Sequence, residues 1–130
     1  MNLLGIDYGT KRVGIAIGDT ESRVAVPYDV LEFGSSTLAS ISEIVQRESI
    51  EAIVVGVPKT LHGEEGRSCE LVRQFVKELK SLGVKIILED ERLTTVEVER
   101  AMKTYGKAKR GIQKDSAAAA IILQSHLDKL

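Results

Sequence analysis

In the stretch LLGIDYGTKRVGIAIGD, Leu3 to Asp19, one carboxylate interrupts an apolar run that otherwise reads as core strand. A charge at such a place needs a partner or a ligand, because burying it alone is costly. Two other segments carry acids of the same kind. ILEDER puts Glu89, Asp90 and Glu91 in a row behind an apolar run, and Asp115 stands just before four alanines. Carboxylates that converge repel one another and call for a counter-charge. Sets of oxygen ligands suit hard divalent cations, Mg²⁺ or Mn²⁺. Such ions, in pairs about 3.5–4 Å apart, activate water and stabilise the leaving oxygen in phosphodiester hydrolysis.

The elements that must position these acids follow from periodicity. LLGIDYG, RVGIAIGD and VAVPYDVLEF are extended runs broken by short turns, which predicts an antiparallel meander. Pro27 puts the third strand at an edge or at a bulge. From Ser36 the period becomes helical, with Leu38, Ile41 and Val45 in register. AIVVGVP, Ala52 to Pro58, is a β-branched run of the kind buried on both faces. A loop, KTLHGEEGRS, precedes a helix striped by Leu71, Phe75, Leu79 and Leu82 and stopped by Gly83. VKIIL is a further buried strand. TTVE, Thr94 to Glu97, is a capping box that opens a helix bearing Val98, Ala101, Met102 and Tyr105. The last helix runs from Ser116 to Leu127. The expected fold is α/β: a five-stranded mixed sheet, an antiparallel meander followed by parallel strands, with helices on both faces. Length gives one domain over residues 1–130.

Alternation along the first strand separates Leu4, Ile6 and Tyr8 from Gly5, Asp7 and Gly9. On the second strand Gly14, Ala16 and Gly18 line one face. One face of the sheet is therefore nearly bare except for Asp7, and a bare face admits close approach of another backbone. The alanine face of the last helix suits that approach, which would swing Asp115 towards Asp7. The acids of ILEDER end a parallel strand, on the edge where open α/β sheets bind ligands.

Each acid also has a structural role open to it. Asp7 can shape the turn at Tyr8-Gly9, Asp115 can cap its helix, and Glu89 to Glu91 can be a solvated strand end with Arg92 as salt-bridge partner. His62 and His126 offer no zinc spacing and read as solvent-facing. Cys69 reads as a buried structural thiol, with no local base to activate it. Lys103, Lys107, Lys109, Arg110 and Lys114 form a basic stretch without an intervening acid, which suits a nucleic-acid backbone or a solvated connector. At 4% aromatic residues, a stacking platform for single strands is not expected.

The bulk numbers exclude several classes. With 43% hydrophobic and 28% charged residues the chain is of globular composition, not disordered. A formal net charge of −1 gives no global attraction to nucleic acid, so any basic surface is local. One cysteine excludes an internal disulfide. The first apolar run stops at Asp7, unlike a secretory signal, and no run spans a bilayer. The reading is cytoplasmic, with no membrane association. There is no heptad seam, so a monomer is favoured over a dimer.

Four motifs, GIDYGTKRVGIAIGD, VVGVPKTLHGEEG, EDERLTT and KDSAAAAIIL, resemble in order and spacing those of the YqgF (RuvX-type) family. These are bacterial RNase H-like proteins described both as Holliday junction resolvases and as pre-16S ribosomal RNA nucleases. The resemblance covers nearly the whole chain and implies an RNase H-like fold. It also implies a nuclease using Mg²⁺ or Mn²⁺, with Asp7, Asp90 or Glu91, and Asp115 as catalytic metal ligands. Many RNase H-like proteins carry an acid at the end of the fourth strand. VVGVP has none, so the choice between Asp90 and Glu91 and the number of metals stay open. Lys11, Arg12 and Arg92 are placed to meet phosphates, beside Lys107, Lys109 and Arg110. The expected activity is processing of the 5′ end of pre-16S ribosomal RNA, with resolution of branched DNA junctions or non-catalytic RNA binding as alternatives. GIDYGT also resembles the first phosphate loop of the actin, Hsp70 and sugar-kinase superfamily, but no second glycine-rich phosphate loop accompanies it.

Overall fold

A computed structural model describes residues 1–9, 11–58, 67–91, 100 and 114–130. Strands β1 (Asn2–Tyr8), β2 (Arg12–Asp19) and β3 (Val24–Glu32) form the meander. Helix α1 (Thr37–Arg47), strand β4 (Ile50–Pro58), helix α2 (Arg67–Lys80), strand β5 (Lys85–Glu91) and helix α3 (Lys114–Leu127) follow. The sheet has five strands in the order β3-β2-β1-β4-β5. β1 pairs antiparallel with β2 and parallel with β4, and β4 pairs parallel with β5, so the sheet is mixed as expected. β3 is an edge strand, and its register skips Tyr28 between the pairs Ile15–Asp29 and Ala16–Pro27. Pro27 thus sits beside a bulge on an edge, where its missing N–H breaks no interior ladder.

The strand faces separate two cores. On one side Leu4, Ile6, Val13, Ile15, Ile53, Val55 and Val57 meet Ile41, Ile44 and Val45 of α1 and Val72, Phe75, Val76 and Leu79 of α2. On the other side Leu3, Ala16, Ala52 and Val54 meet Ala119, Ala120, Ile122, Leu123 and Leu127 of α3. α1 and α2 keep an amphipathic stripe, whereas α3 is apolar around much of its circumference, its alanines allowing close contact with the sheet. The helix expected from Thr94 and the basic stretch to Arg110 lie outside the described residues. Helix α3 begins at Lys114, two residues before the predicted start.

Candidate active site

The register sets Asp7 between two glycines. Asp7 pairs with Gly14 on β2 and with Gly56 on β4, and Gly56 pairs with Glu89 on β5. Across this row of the sheet the side chain of Asp7 has no neighbour on either adjacent strand, and α3 fills the space. A methyl group built on Gly14 would fall 1.9 Å from the carbonyl oxygen of Asp115, and one on Gly5 would fall 2.7 Å from Cβ of Leu123. Real Cβ atoms do not approach that closely, so these positions exclude every residue but glycine with the helix where it is. The bare strand face is the seat of α3, and the first turn of the helix rests on the strand beside Asp7.

The electrostatics register that convergence. The carboxyl of Asp7 is pushed from 3.8 to about 6, first by its burial and then by the charge of Asp115. Asp115 is not a cap outside the helix but a first-turn residue, 30% exposed, and its Oδ2 accepts a hydrogen bond of 2.9 Å from Nε of Arg12. Arg12, expected to face phosphates, is therefore tied to an acid, although its exposed side chain leaves it room to turn. Lys11 is exposed beside it.

The third acidic segment divides. β5 extends through Glu91, so all three acids belong to the strand. Glu89, expected at a solvated strand end, is 4% exposed, forms an ion pair with Lys129 and lies 3.6 Å from Nδ1 of His126. His126 is accordingly not solvent-facing; its side chain is 17% exposed and turned towards β5. A buried carboxylate is tolerable only with such partners. Asp90 pairs with Val57 and Glu91 with Pro58 in the backbone register. Arg92, Lys107, Lys109 and Arg110 lie outside the described residues, as do His62 and the side chain of Cys69.

Among the described residues no group of three metal-ligating side chains is gathered. The first turn of α3 brings the charge of Asp115 to bear on Asp7. Their chemistry fits a hard cation. The carboxyl of Asp7 is raised by burial and then by the charge of Asp115, Asp115 is paired with a single guanidinium, and both offer oxygen alone.

Low aromatic content hid a feature of placement. Tyr8, which follows Asp7, packs against Phe33 at 5.4 Å between ring centroids and against Phe75 at 4.8 Å. Three of the chain's five aromatic residues thus lie at the sheet edge that carries the acids. Nothing in the sequence joins positions 8, 33 and 75 except that each adjoins that edge.

A family model described as RuvX, Holliday junction resolvase, matches residues 1–129. A protein of Anaplasma marginale, provisionally named pre-16S rRNA nuclease, is 40% identical over 97% of this chain and 83% of its own length. A protein of Endomicrobium trichonymphae with the same name is 39% identical over 97% of this chain and 94% of its own. Among solved structures, Thermus thermophilus RuvC superposes with a TM-score of 0.66 at 16% identity, covering 99% of this chain and 95% of that one. The Fowlpox virus resolvase with its Holliday junction DNA gives 0.62 at 12% identity, covering 99% and 98%. These likenesses establish the RNase H-like fold of the RuvC type; at such identities they speak to the fold alone.

Proposed function

Because this chain belongs to the RuvX family, matched over residues 1–129, we propose that it is a divalent-metal-dependent nuclease that processes precursor 16S ribosomal RNA. The relatives named as pre-16S rRNA nucleases support the substrate. The observation that supports the chemistry is the close approach of the Asp115 backbone to Gly14, together with the effect of the Asp115 charge on the carboxyl of Asp7. Metal-site, nuclease and cytoplasmic readings stand together here, since precursor ribosomal RNA is a cytoplasmic substrate in bacteria.

Asp7 and Asp115 would hold Mg²⁺ or Mn²⁺ with one acid of β5. The cation supplies Lewis-acid polarisation of the phosphate and activation of the attacking water. Register favours Glu91 as the third acid. It is two residues beyond Glu89, which shares a row with Asp7, so Glu91 has the strand parity of Asp7 and Asp90 the opposite one. The carboxyl of Asp7, raised to about 6 by burial and by the charge of Asp115, is mostly ionised at neutral pH, and its oxygens would hold the cation directly. Arg12 and Lys11 offer positive charge for the flanking phosphates once Arg12 turns from Asp115. Lys107, Lys109 and Arg110 would extend that contact along the strand.

Four-way junction DNA is the second reading, favoured by the description of the family model. Symmetric cleavage of a junction needs two sites on a dimer, whereas trimming a precursor needs one, and a monomer is favoured here. The test is cleavage of precursor 16S RNA and of junction DNA by parent, Asp7→Asn, Glu91→Gln and Asp90→Asn proteins with Mn²⁺, alongside sedimentation. Metal-dependent RNA cleavage lost in Asp7→Asn and Glu91→Gln but kept in Asp90→Asn supports the proposal. Paired cuts in junction DNA by a dimer, with the RNA untouched, would overturn it. Binding of RNA without cleavage in any metal would leave a non-catalytic factor.

A further inference from the structure

The aromatic trio beside the acids does more than close the core. Phe75 is buried, whereas Phe33, one residue past the end of β3, keeps 40% of its surface exposed. Its backbone N–H donates to the carbonyl of Lys11 at 2.8 Å, which fastens it to the turn that also carries Arg12. Tyr8 meets Phe33 nearly edge-on, at 84° between ring planes, and Phe75 lies 6.2 Å from Phe33. Both inner rings occupy the space into which Phe33 would otherwise fold, so its outer surface stays in water in a fixed orientation. A large apolar ring left exposed in one orientation is preorganised for a flat partner, with little conformational entropy left to lose on binding.

We infer that Phe33, backed by Tyr8 and Phe75, is a stacking site for one unpaired base adjacent to the phosphate held at the carboxylates. The placement argues for a base and against another apolar partner. Tyr8 is the residue after Asp7, so ring and acid lie on opposite faces of the same strand end, and a strand crossing that edge presents a phosphate to one and a base to the other. The exposed cations Lys11 and Arg12 link the two, since the Lys11 carbonyl accepts from the Phe33 N–H and Arg12 donates to Asp115. A base within intact duplex has both faces already stacked and cannot use the ring. The inference therefore rests on the nuclease reading and deepens it: the preferred substrate is single-stranded at the point of cleavage.

Binding measured in EDTA separates this from catalysis. The probes are a short single-stranded oligoribonucleotide, its fully paired duplex, and the same strand with abasic positions, against parent, Phe33→Leu and Phe33→Trp. Stacking on an aromatic ring predicts that Phe33→Leu weakens single-strand binding about 5- to 150-fold, leaves duplex binding unchanged and keeps the parental salt slope. The chain has no tryptophan, so Phe33→Trp installs a unique reporter. Its emission is expected to be quenched by the single strand and not by the abasic one, a readout that survives even if the leucine variant is unstable. Equal single-strand affinity for parent and Phe33→Leu, or equal quenching with and without bases, overturns the site. Phe33-dependent binding without Mn²⁺-dependent cleavage would retain the site and reject the nuclease; cleavage with Phe33-independent binding would do the reverse.

Discussion

Replacing Gly14 with Ala adds one methyl group, yet it tests the whole construction of the site. That methyl would stand 1.9 Å from the carbonyl oxygen of Asp115. Ordinary van der Waals contact begins at about 3.4 Å, so strand and helix must part by about 1.5 Å. The obstacle is helix backbone, which has no alternative rotamer, and overpacking of that kind costs ~1–3 kcal/mol, here towards the upper end. The functional loss is expected to be larger than the loss of stability. Asp115 is displaced from Asp7 by more than the ~1 Å that can cost 10²-fold in rate. Gly18→Ala is the control at the far end of α3. Its methyl would meet Cδ2 of Leu123 at 3.0 Å, Cδ1 of Leu127 at 3.1 Å and the carbonyl of Val24 at 3.1 Å, contacts relieved by shifts of a few tenths of an ångström. Urea unfolding, the Mn²⁺-induced rise in Tm and cleavage of precursor RNA are measured on parent and both variants. Gly14→Ala is expected to be destabilised, to lose the Mn²⁺ response and to cleave at least about 100-fold more slowly; Gly18→Ala keeps both metal response and cleavage. A Gly14→Ala protein with the parental Mn²⁺ shift and cleavage would refute the idea that close packing of α3 builds the site.

Three further perturbations follow from other interactions. In EDTA, Asp7→Asn is expected to be more stable than the parent at pH 7.5 and equal to it below pH 4. The parent's raised carboxyl binds its proton more tightly when folded, so its stability falls as pH rises from 3.8 through about 6, by at most roughly 3 kcal/mol. A difference independent of pH would contradict this; with Mn²⁺ at 100 times its Kd the difference is expected to close nearly completely, the parent gaining about 2.7 kcal/mol that the Asn variant lacks. Glu89→Gln removes the buried charge shared with Lys129 and His126, and urea titration is expected to show a loss of about 1.5–3 kcal/mol. Parental stability would mean that the pairing only offsets the cost of burying the charge. Replacing Lys107, Lys109 and Arg110 with Ala is expected to lower the log–log salt slope of RNA binding by roughly 0.7–0.9 for each phosphate no longer neutralised. An unchanged slope would make that stretch a connector only.

Alternation and small residues made much of the site legible in advance. The bare face of β1 and β2, and the alanines of α3, are local patterns whose only good use is each other, so the approach of Asp115 to Asp7 could be read from composition and period. Pro27 announced an edge in the same way, through a donor it lacks. What escaped depends on pairings without local signature. A run of three acids does not say which one is buried; Glu89 is, because His126 of α3 and Lys129 just past its end reach it from 37 and 40 positions further on. Arg12 looked free for phosphate because its partner lies 103 positions away. The aromatic trio likewise joins three elements that only the strand order brings together.

The carboxylates of the site are contributed by opposite ends of the fold. Asp115 follows Asp7 by 108 positions, and its helix docks on strands made at the beginning. At about 5–20 residues per second of synthesis, roughly 5–20 s separate the emergence of the two acids. During that interval the meander can form, but its glycine face is open to water and Asp7 is an ordinary solvated carboxylate. On the proposed assignment of Asp7 and Asp115, cleavage has to wait until α3 has been made and docked. A chain still short of α3 would then be inert towards RNA.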